Sequence, residues 1–164
     1  MADVTFNMKE NSISVHQSNT EPWSVTLVDT GENTMTGGRL KRVFEYIKDE
    51  ESFCFTYGDG VGDINIRELL AFHKSHGKLA TLTSTRPPGR YGALMFAENG
   101  ISNQIISFKE KPEGEESWIN GGFFVLSPEV VNRIKDDETS WEAEPLMSLA
   151  TDGELCAFKH SGFW

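Results

Sequence analysis

The stretch from Phe53 to Thr83 constrains the fold of this chain more than any other. Phe53-Cys54-Phe55-Thr56 is apolar and β-prone, and Tyr57-Gly58-Asp59-Gly60 follows it directly. Ile66, Leu69, Leu70 and His73 then recur at helical spacing, Gly77 stops that pattern, and Leu79 to Thr83 is β-prone again. Strand, turn, helix and strand in that order make a unit of an α/β sheet. Asp59 is therefore expected at the carboxyl end of a buried strand, where open α/β sheets bind ligands. The flanking glycines remove side-chain bulk, so a phosphate or sugar can approach the backbone. A carboxylate there suits a Mg2+ ion carrying a nucleoside triphosphate. A turn Asp, or one capping the next helix, gives the same local pattern.

The rest of the chain continues the alternation. Val4 to Met8 and Ser12 to His16 alternate polar and apolar residues on either side of Lys9-Glu10-Asn11, which is a hairpin pattern. Trp23 to Val28 is expected to be a strand. Leu40, Val43, Phe44 and Ile47 form one apolar helical stripe. Pro87 to Arg90 reads as a loop, and strands are expected around Gly92 to Phe96, Gln104 to Phe108 and Gly121 to Leu126. Ser127-Pro128 opens a short helix with Val130, Val131 and Ile134 facing inward. A helix from about Pro145 to Ala150 and a strand from Leu155 to Phe158 complete the series. The first half implies parallel strands joined by right-handed crossovers, the second antiparallel pairs. The expected class is α/β with a mixed sheet, in a single domain over 1–164.

Size and charge narrow the function classes. A chain of 164 residues suits one domain, which buries roughly 70% of its unfolded surface. The net charge of -10 argues against wrapping a nucleic-acid backbone or lying on an anionic membrane. No apolar run approaches the roughly 20 residues needed to span a bilayer. Met1-Ala2-Asp3 lacks the basic start and apolar core of a signal peptide, so a cytoplasmic location is expected. Cys54 and Cys156 both lie in strand-like runs and are expected to be buried, reduced thiols. His16, His73, His76 and His160 are scattered, and no Cys/His cluster has zinc-ligand spacing.

Four constellations carry potential chemistry. Asp59 and Asp63 are spaced like a metal pair, but a calcium loop starting at Asp59 would place Ile64 where Gly is required and Leu70 where Glu is required. Asp63 fits better as the cap of the following helix. In Thr36-Gly37-Gly38-Arg39, two glycines opening a helix leave N–H groups for phosphate and Arg39 adds a guanidinium. A flexible turn with a solvated Arg fits the same residues, and the P-loop spacing is absent. In Glu110-Lys111-Pro112, the carboxylate can accept from two sugar hydroxyls while the Lys neutralises a sugar phosphate. A strand-end charge pair is the plainer reading. Asn120-Gly121-Gly122 offers an amide for a hydroxyl and space for a sugar ring, or simply a β-bulge.

In order, spacing and strand-end placement these motifs resemble the sugar-1-phosphate nucleotidylyltransferases. The resemblance runs from Glu21-Pro22-Trp23 and Leu27-Val28-Asp29-Thr30-Gly31 through Met35 to Arg42 and Tyr57 to Val61. It continues with Pro87 to Leu94, Glu110-Lys111-Pro112, Asn120 to Val125, Trp141-Glu142 and Glu144-Pro145-Leu146-Met147. It implies a Rossmann-like nucleotidyltransferase sheet. It also implies transfer of a cytidylyl group from CTP to α-D-glucose 1-phosphate, with pyrophosphate released and CDP-glucose formed. By the family's pattern Asp59 is a Mg2+ ligand. Thr36, Gly37, Arg39, Gly58 and Asp59 belong to the nucleotide side, and Gly92, Glu110, Lys111, Asn120 and Gly121 to the sugar side.

The departures shape the expectation too. The family opens with a glycine-rich loop, G-G-x-G-T-R-L, and a Lys-Pro segment; Thr36 to Leu40 resembles that loop but lacks its third Gly. The family also carries a second metal-binding Asp and a C-terminal helical region beyond the equivalent of Gly162-Phe163-Trp164. The chain is therefore expected to be an internal portion of such an enzyme, with a sheet incomplete at both ends. It is expected to lack turnover by itself and to self-associate as a homo-oligomer through an unpaired sheet edge. The alternative is a non-catalytic sugar- or nucleotide-binding module. A glycosyltransferase is the third reading, weakened because Gly60-Val61, not x-Asp, follows Asp59.

Overall fold

Four strands pair into the sheet that carries the core. The computed structural model describes residues 2–18, 21–86, 93–96, 105–109 and 118–164. Its strands are β1 (Ala2–Asn7), β2 (Ser12–Ser18), β3 (Phe53–Thr56), β4 (Ala80–Thr85), β5 (Ala93–Phe96), β6 (Ile105–Lys109), β7 (Ile119–Leu126) and β8 (Leu155–Lys159). Its helices are α1 (Thr36–Arg42), α2 (Ile66–His76) and α3 (Glu144–Thr151), with single 3-10 segments at Phe44–Tyr46 and Pro128–Arg133. The main sheet has the order β3-β7-β4-β8, while β1-β2 and β5-β6 form separate pairs.

β7 organises the sheet. It runs antiparallel to β3 on one side and to β4 on the other, and β8 lies parallel to β4. β3, β4 and β8 therefore point the same way. Phe124, Val125 and Leu126 of β7 are all at most 1% exposed, the two-faced burial of a central strand. Because side chains alternate, Phe124 and Leu126 join one cluster and Val125 the other. The larger cluster gathers Leu40 of α1, Val130 and Val131, Trp141, and Leu146 and Leu149 of α3. The smaller contains Ile64, just before α2, and Leu69 of α2. The sheet is thus covered by α2 on one face and by α1 and α3 on the other, the layered arrangement expected of an α/β class.

The helical stripe 40–47 forms in two pieces, α1 and the 3-10 segment, and its Val43, Phe44 and Ile47 pack on the larger cluster. α2 ends at Gly77 in the left-handed region, φ 63°, as its sequence predicts. Its cap differs from expectation. Asn65 accepts the Glu68 N–H at 3.3 Å, because the cap must sit directly before the first turn. Asp63 lies two residues further out, where its N–H donates to the Phe163 carbonyl and its carboxylate faces His160, each at 3.1 Å.

Three other expectations are corrected. Trp23 to Val28 is not a strand, and Leu27 is 93% exposed; a strand needs a partner, and among the described residues nothing pairs with this run. β3 is not buried on both faces. It is the outer strand of the four, its side chains alternate, and Cys54 points outward as an exposed free thiol; Cys156 is half-buried. The β3–α2–β4 unit exists, but β7 is inserted antiparallel between its two strands, so they are not neighbours. Phe163 is exposed, whereas the Trp164 indole N–H donates to the Gly121 carbonyl at 2.7 Å. The Pro87 to Arg90 loop lies outside the described residues.

Candidate active site

Strand direction selects one edge of the sheet. The carboxyl ends of β3, β4 and β8 meet the amino end of β7 there, as the pairings Thr85↔Ile119 and Ser84↔Lys159 require. Residues 57–60, Arg86, Trp118, Asn120 and His160 all follow from strand ends at this edge. Arg86 and Lys159 both lie over the Trp118 ring, 4.9 and 5.2 Å from its centroid. His160 is buried, and its Nε2 lies 3.1 Å from both the Phe163 carbonyl and Asp63 Oδ1, two acceptors that assign the proton to Nε2.

Asp59 stands in the turn beyond β3, exposed, and no described residue forms a hydrogen bond or ion pair with its carboxylate. A Cβ at neighbouring Gly58 would meet nothing within 4 Å. One open carboxylate oxygen pair suits a hard cation that takes its remaining ligands from water and phosphate. Among the described residues no group of three or more His, Cys, Asp and Glu side chains converges on a metal position.

The polar centre of the site is Glu142. Trp141 is fully buried, with its ring at right angles to Phe55 and Phe124 (centroids 6.2 and 6.1 Å). That anchor fixes the chain, and the next side chain, Glu142, collects three hydroxyl donors. Tyr57 donates to Oε1 in a very short contact. Thr36 and Ser140 donate to Oε2 at 2.9 and 2.6 Å. The Thr36 hydroxyl oxygen in turn accepts the Trp141 N–H at 2.9 Å. Burial raises the Glu142 carboxyl, but the bonds from Ser140, Tyr57 and Thr36 outweigh it and hold the group below the usual carboxylate range. Tyr57 is pushed well above its ordinary value, first by burial and then by its bond to the ionised Glu142.

Arg39 is held as firmly. Its Nη1 donates to the Thr30 hydroxyl at 2.6 Å and its Nη2 to the Glu32 carbonyl at 3.0 Å. The glycines before it have a packing reason. A Cβ at Gly37 would lie 2.7 Å from the Thr139 carbonyl oxygen, and one at Gly38 would lie 2.7 Å from Asp137 Cα. Gly38 N–H donates to Thr139 O at 3.2 Å, so this amide is not left open for a phosphate as the motif suggested.

Asn120-Gly121-Gly122 contains the bulge its sequence allowed. The pairing jumps from Leu82↔Phe124 to Ser84↔Asn120, and Gly122 adopts φ 75° at the jump, against the Tyr57 ring. Asn120 Oδ1 accepts the Gly122 N–H at 2.8 Å. The space beside Gly121 is filled by the Thr83 carbonyl and the Trp164 indole, which corrects the expectation of room for a sugar ring there. Gly92, Glu110 and Lys111 lie outside the described residues.

The structure therefore brings Thr36, Tyr57, Ser140 and Glu142 into one cluster, with Asp59, Arg39 and Asn120 on segments attached to it. The Trp141-Glu142 pair carries no sign of this role in the sequence. Tyr57 and Glu142 are 85 residues apart in the chain, so no local signal joins them.

Comparison with known proteins gives this arrangement a class. The model of the nucleotidyl transferase family matches residues 4–155. The chain belongs to that family. It is 60% identical over all 164 residues to a glucose-1-phosphate cytidylyltransferase of Salmonella typhimurium, and spans 62% of that relative's length. It is 34% identical over 134 residues to the mannose-1-phosphate guanylyltransferase catalytic subunit beta of Dictyostelium discoideum, covering 79% of this chain and 36% of that protein. The crystal structure of HddC from Yersinia pseudotuberculosis shares the fold at a TM-score of 0.55 and 22% identity, over 81% of this chain and 56% of that one.

Proposed function

We propose that this chain serves cytidylyl transfer from CTP to α-D-glucose 1-phosphate. The observation that carries the reading is the 60% identity to the Salmonella cytidylyltransferase, which extends over every residue of the chain. In that reaction the sugar phosphate oxygen forms a bond to the α-phosphorus of CTP. The α–β phosphoanhydride bond breaks, and pyrophosphate leaves. Mg2+ supplies neutralisation of the phosphate charge when bound. Asp59 is the residue that would hold it, and the open surroundings of that carboxylate support this role.

The chain's own task in this reading is positioning. Arg39 offers a guanidinium fixed by Thr30 and Glu32 to the nucleotide side, with Thr36 beside it. Asn120, whose amide oxygen accepts the Gly122 N–H and whose side chain also reaches the Tyr57 hydroxyl, lies on the sugar side by resemblance to the family. Gly92, Glu110 and Lys111 take the hexose phosphate by resemblance to the family. In this reading the site works on small molecules in the cytoplasm; no helix among the described residues is long and apolar enough to cross a membrane.

A competition measurement tests the substrate class. Saturation-transfer NMR on the chain should rank CTP and CDP-glucose above GTP and dTTP. Equal binding of GTP would overturn the assignment of cytosine. Pyrophosphate release from CTP and glucose 1-phosphate, assayed in parallel, checks the expectation that the isolated chain has no turnover.

A further inference from the structure

Two segments of the proposed nucleotide site are remote in sequence and meet through a third. Thr36 begins α1, three residues before Arg39. Tyr57 directly follows β3, two residues before Asp59. Neither side chain is bonded to the other. Both donate to the same carboxylate, one to each oxygen of Glu142. The carboxylate is itself fixed from below, because Trp141 is buried at 0% exposure between Phe55 and Phe124. Ser140 supplies a third hydroxyl from the same loop. Thr36 closes the ring by accepting the Trp141 N–H.

We propose that Glu142 is a positioning residue that sets the spacing between the cation-bearing segment 36–39 and the metal-side turn 57–60. This rests on the nucleotide reading given above. A triphosphate carrying Mg2+ must meet Arg39 and Asp59 at the same time, so the distance between the two segments decides how well it binds. One carboxylate with two oxygens is suited to fix that distance, because each oxygen takes a donor from a different segment and the charge strengthens both bonds. A glutamine could accept at one position only, and its NH2 would face a hydroxyl that must then turn around. Glu142 need not touch the substrate for this.

The test is a titration of the 15N-labelled chain with CTP, without and with Mg2+, followed at the amides of Gly37, Gly38, Gly58 and Gly60. In the unsubstituted chain the two glycine pairs should move on one Mg2+-dependent binding curve. In Glu142→Gln the curves should separate and the apparent affinity for Mg2+-CTP should fall at least fivefold, with the melting temperature nearly kept. Tyr57→Phe should release the 57–60 pair alone, and it carries the test if Glu142→Gln does not fold. A Glu142→Gln or Tyr57→Phe chain that keeps a single curve and the original affinity would overturn the positioning role while leaving the nucleotide reading standing. No shift with millimolar CTP in the unsubstituted chain would overturn both, and leave the Glu142 cluster as packing only.

Discussion

The hairpin β1-β2 and the sheet β3-β7-β4-β8 are built from similar material and end in opposite environments. In the hairpin, Val4 pairs with Val15 and Phe6 with Ile13, so one face is continuously apolar. All four of those side chains are more than 40% exposed. In the main sheet, Val125 and Leu126 are completely buried. The difference is the number of layers. β7 has a strand on each side and a helix layer on each face, whereas β1 and β2 have each other. An apolar side chain contributes its full roughly 1.5–3 kcal/mol only when water is removed from all sides of it. Two strands can satisfy each other's backbone and still leave that term unrealised.

The comparison predicts a steep gradient of mutational effects. Phe124→Ala, in the centre of the larger cluster, should cost about 3–5 kcal/mol and abolish the cooperative melt in a marginal chain. Phe6→Ala in the hairpin should stay within about 0.5 kcal/mol. Urea unfolding of both variants decides the matter; comparable losses would mean that the hairpin face is covered in solution.

Close approach comes next. Gly38→Ala places a methyl group 2.7 Å from Asp137 Cα and from Thr34 Cγ2, so it should cost about 1–3 kcal/mol by overpacking. Gly58→Ala, with nothing within 4 Å, should have a much smaller effect. A calorimetric melt that ranks them the other way round would show that the 36–39 packing is wrong.

Helix capping sharpens the picture further. Asn65→Ala should lose about 1 kcal/mol, because the Glu68 N–H is left without its acceptor. Asn65→Asp should keep most of it. Equilibrium unfolding of the pair would reveal an Asp63 cap if Asn65→Ala proved neutral.

A smaller effect concerns pH. His73 Nδ1 and His76 Nε2 both bond the Thr81 hydroxyl, at 2.9 and 2.8 Å, and the His76 Nδ1 accepts the Lys78 N–H. Both rings are held below their ordinary 6.5, by burial first and then by a neighbouring positive charge, His76 for one and Lys78 for the other. The unfolded chain therefore takes up protons first. Stability is full above pH 6.5 and falls as the pH drops through that value towards the folded values. The melting temperature should decline across that window, and His73→Gln should flatten the decline. A melt independent of pH from 7.5 down to about 5 would contradict this.

The smallest expected change in stability is at the site itself. Asp59→Asn should shift the melt by no more than about 0.5 kcal/mol, since the side chain is exposed. It should weaken Mg2+-dependent CTP binding, read in the same NMR titration. A large loss of stability with unchanged binding would make Asp59 structural.

The sequence by itself determined the elements whose cause is local. The hairpin follows from alternation about Lys9-Glu10-Asn11, the end of α2 from Gly77, and the inward faces of Leu69, Val130 and Ile134 from their spacing. The mixed sheet and the Tyr57 to Gly60 turn at a strand end were legible for the same reason, because period and turn chemistry act over a few residues. Tertiary structure decided the rest. Trp23 to Val28 reads as well as β3 does, but only β3 has β7 beside it. Gly37 and Gly38 read as open amides for a phosphate and Gly121 as room for a sugar ring, yet the space beside each is taken by a segment distant in the chain. Glu142 gained its importance from hydroxyls 85 and 106 residues away. Pairing, close approach and a shared carboxylate depend on which distant groups arrive at the same point, and that is a property of the folded chain, not of any window within it.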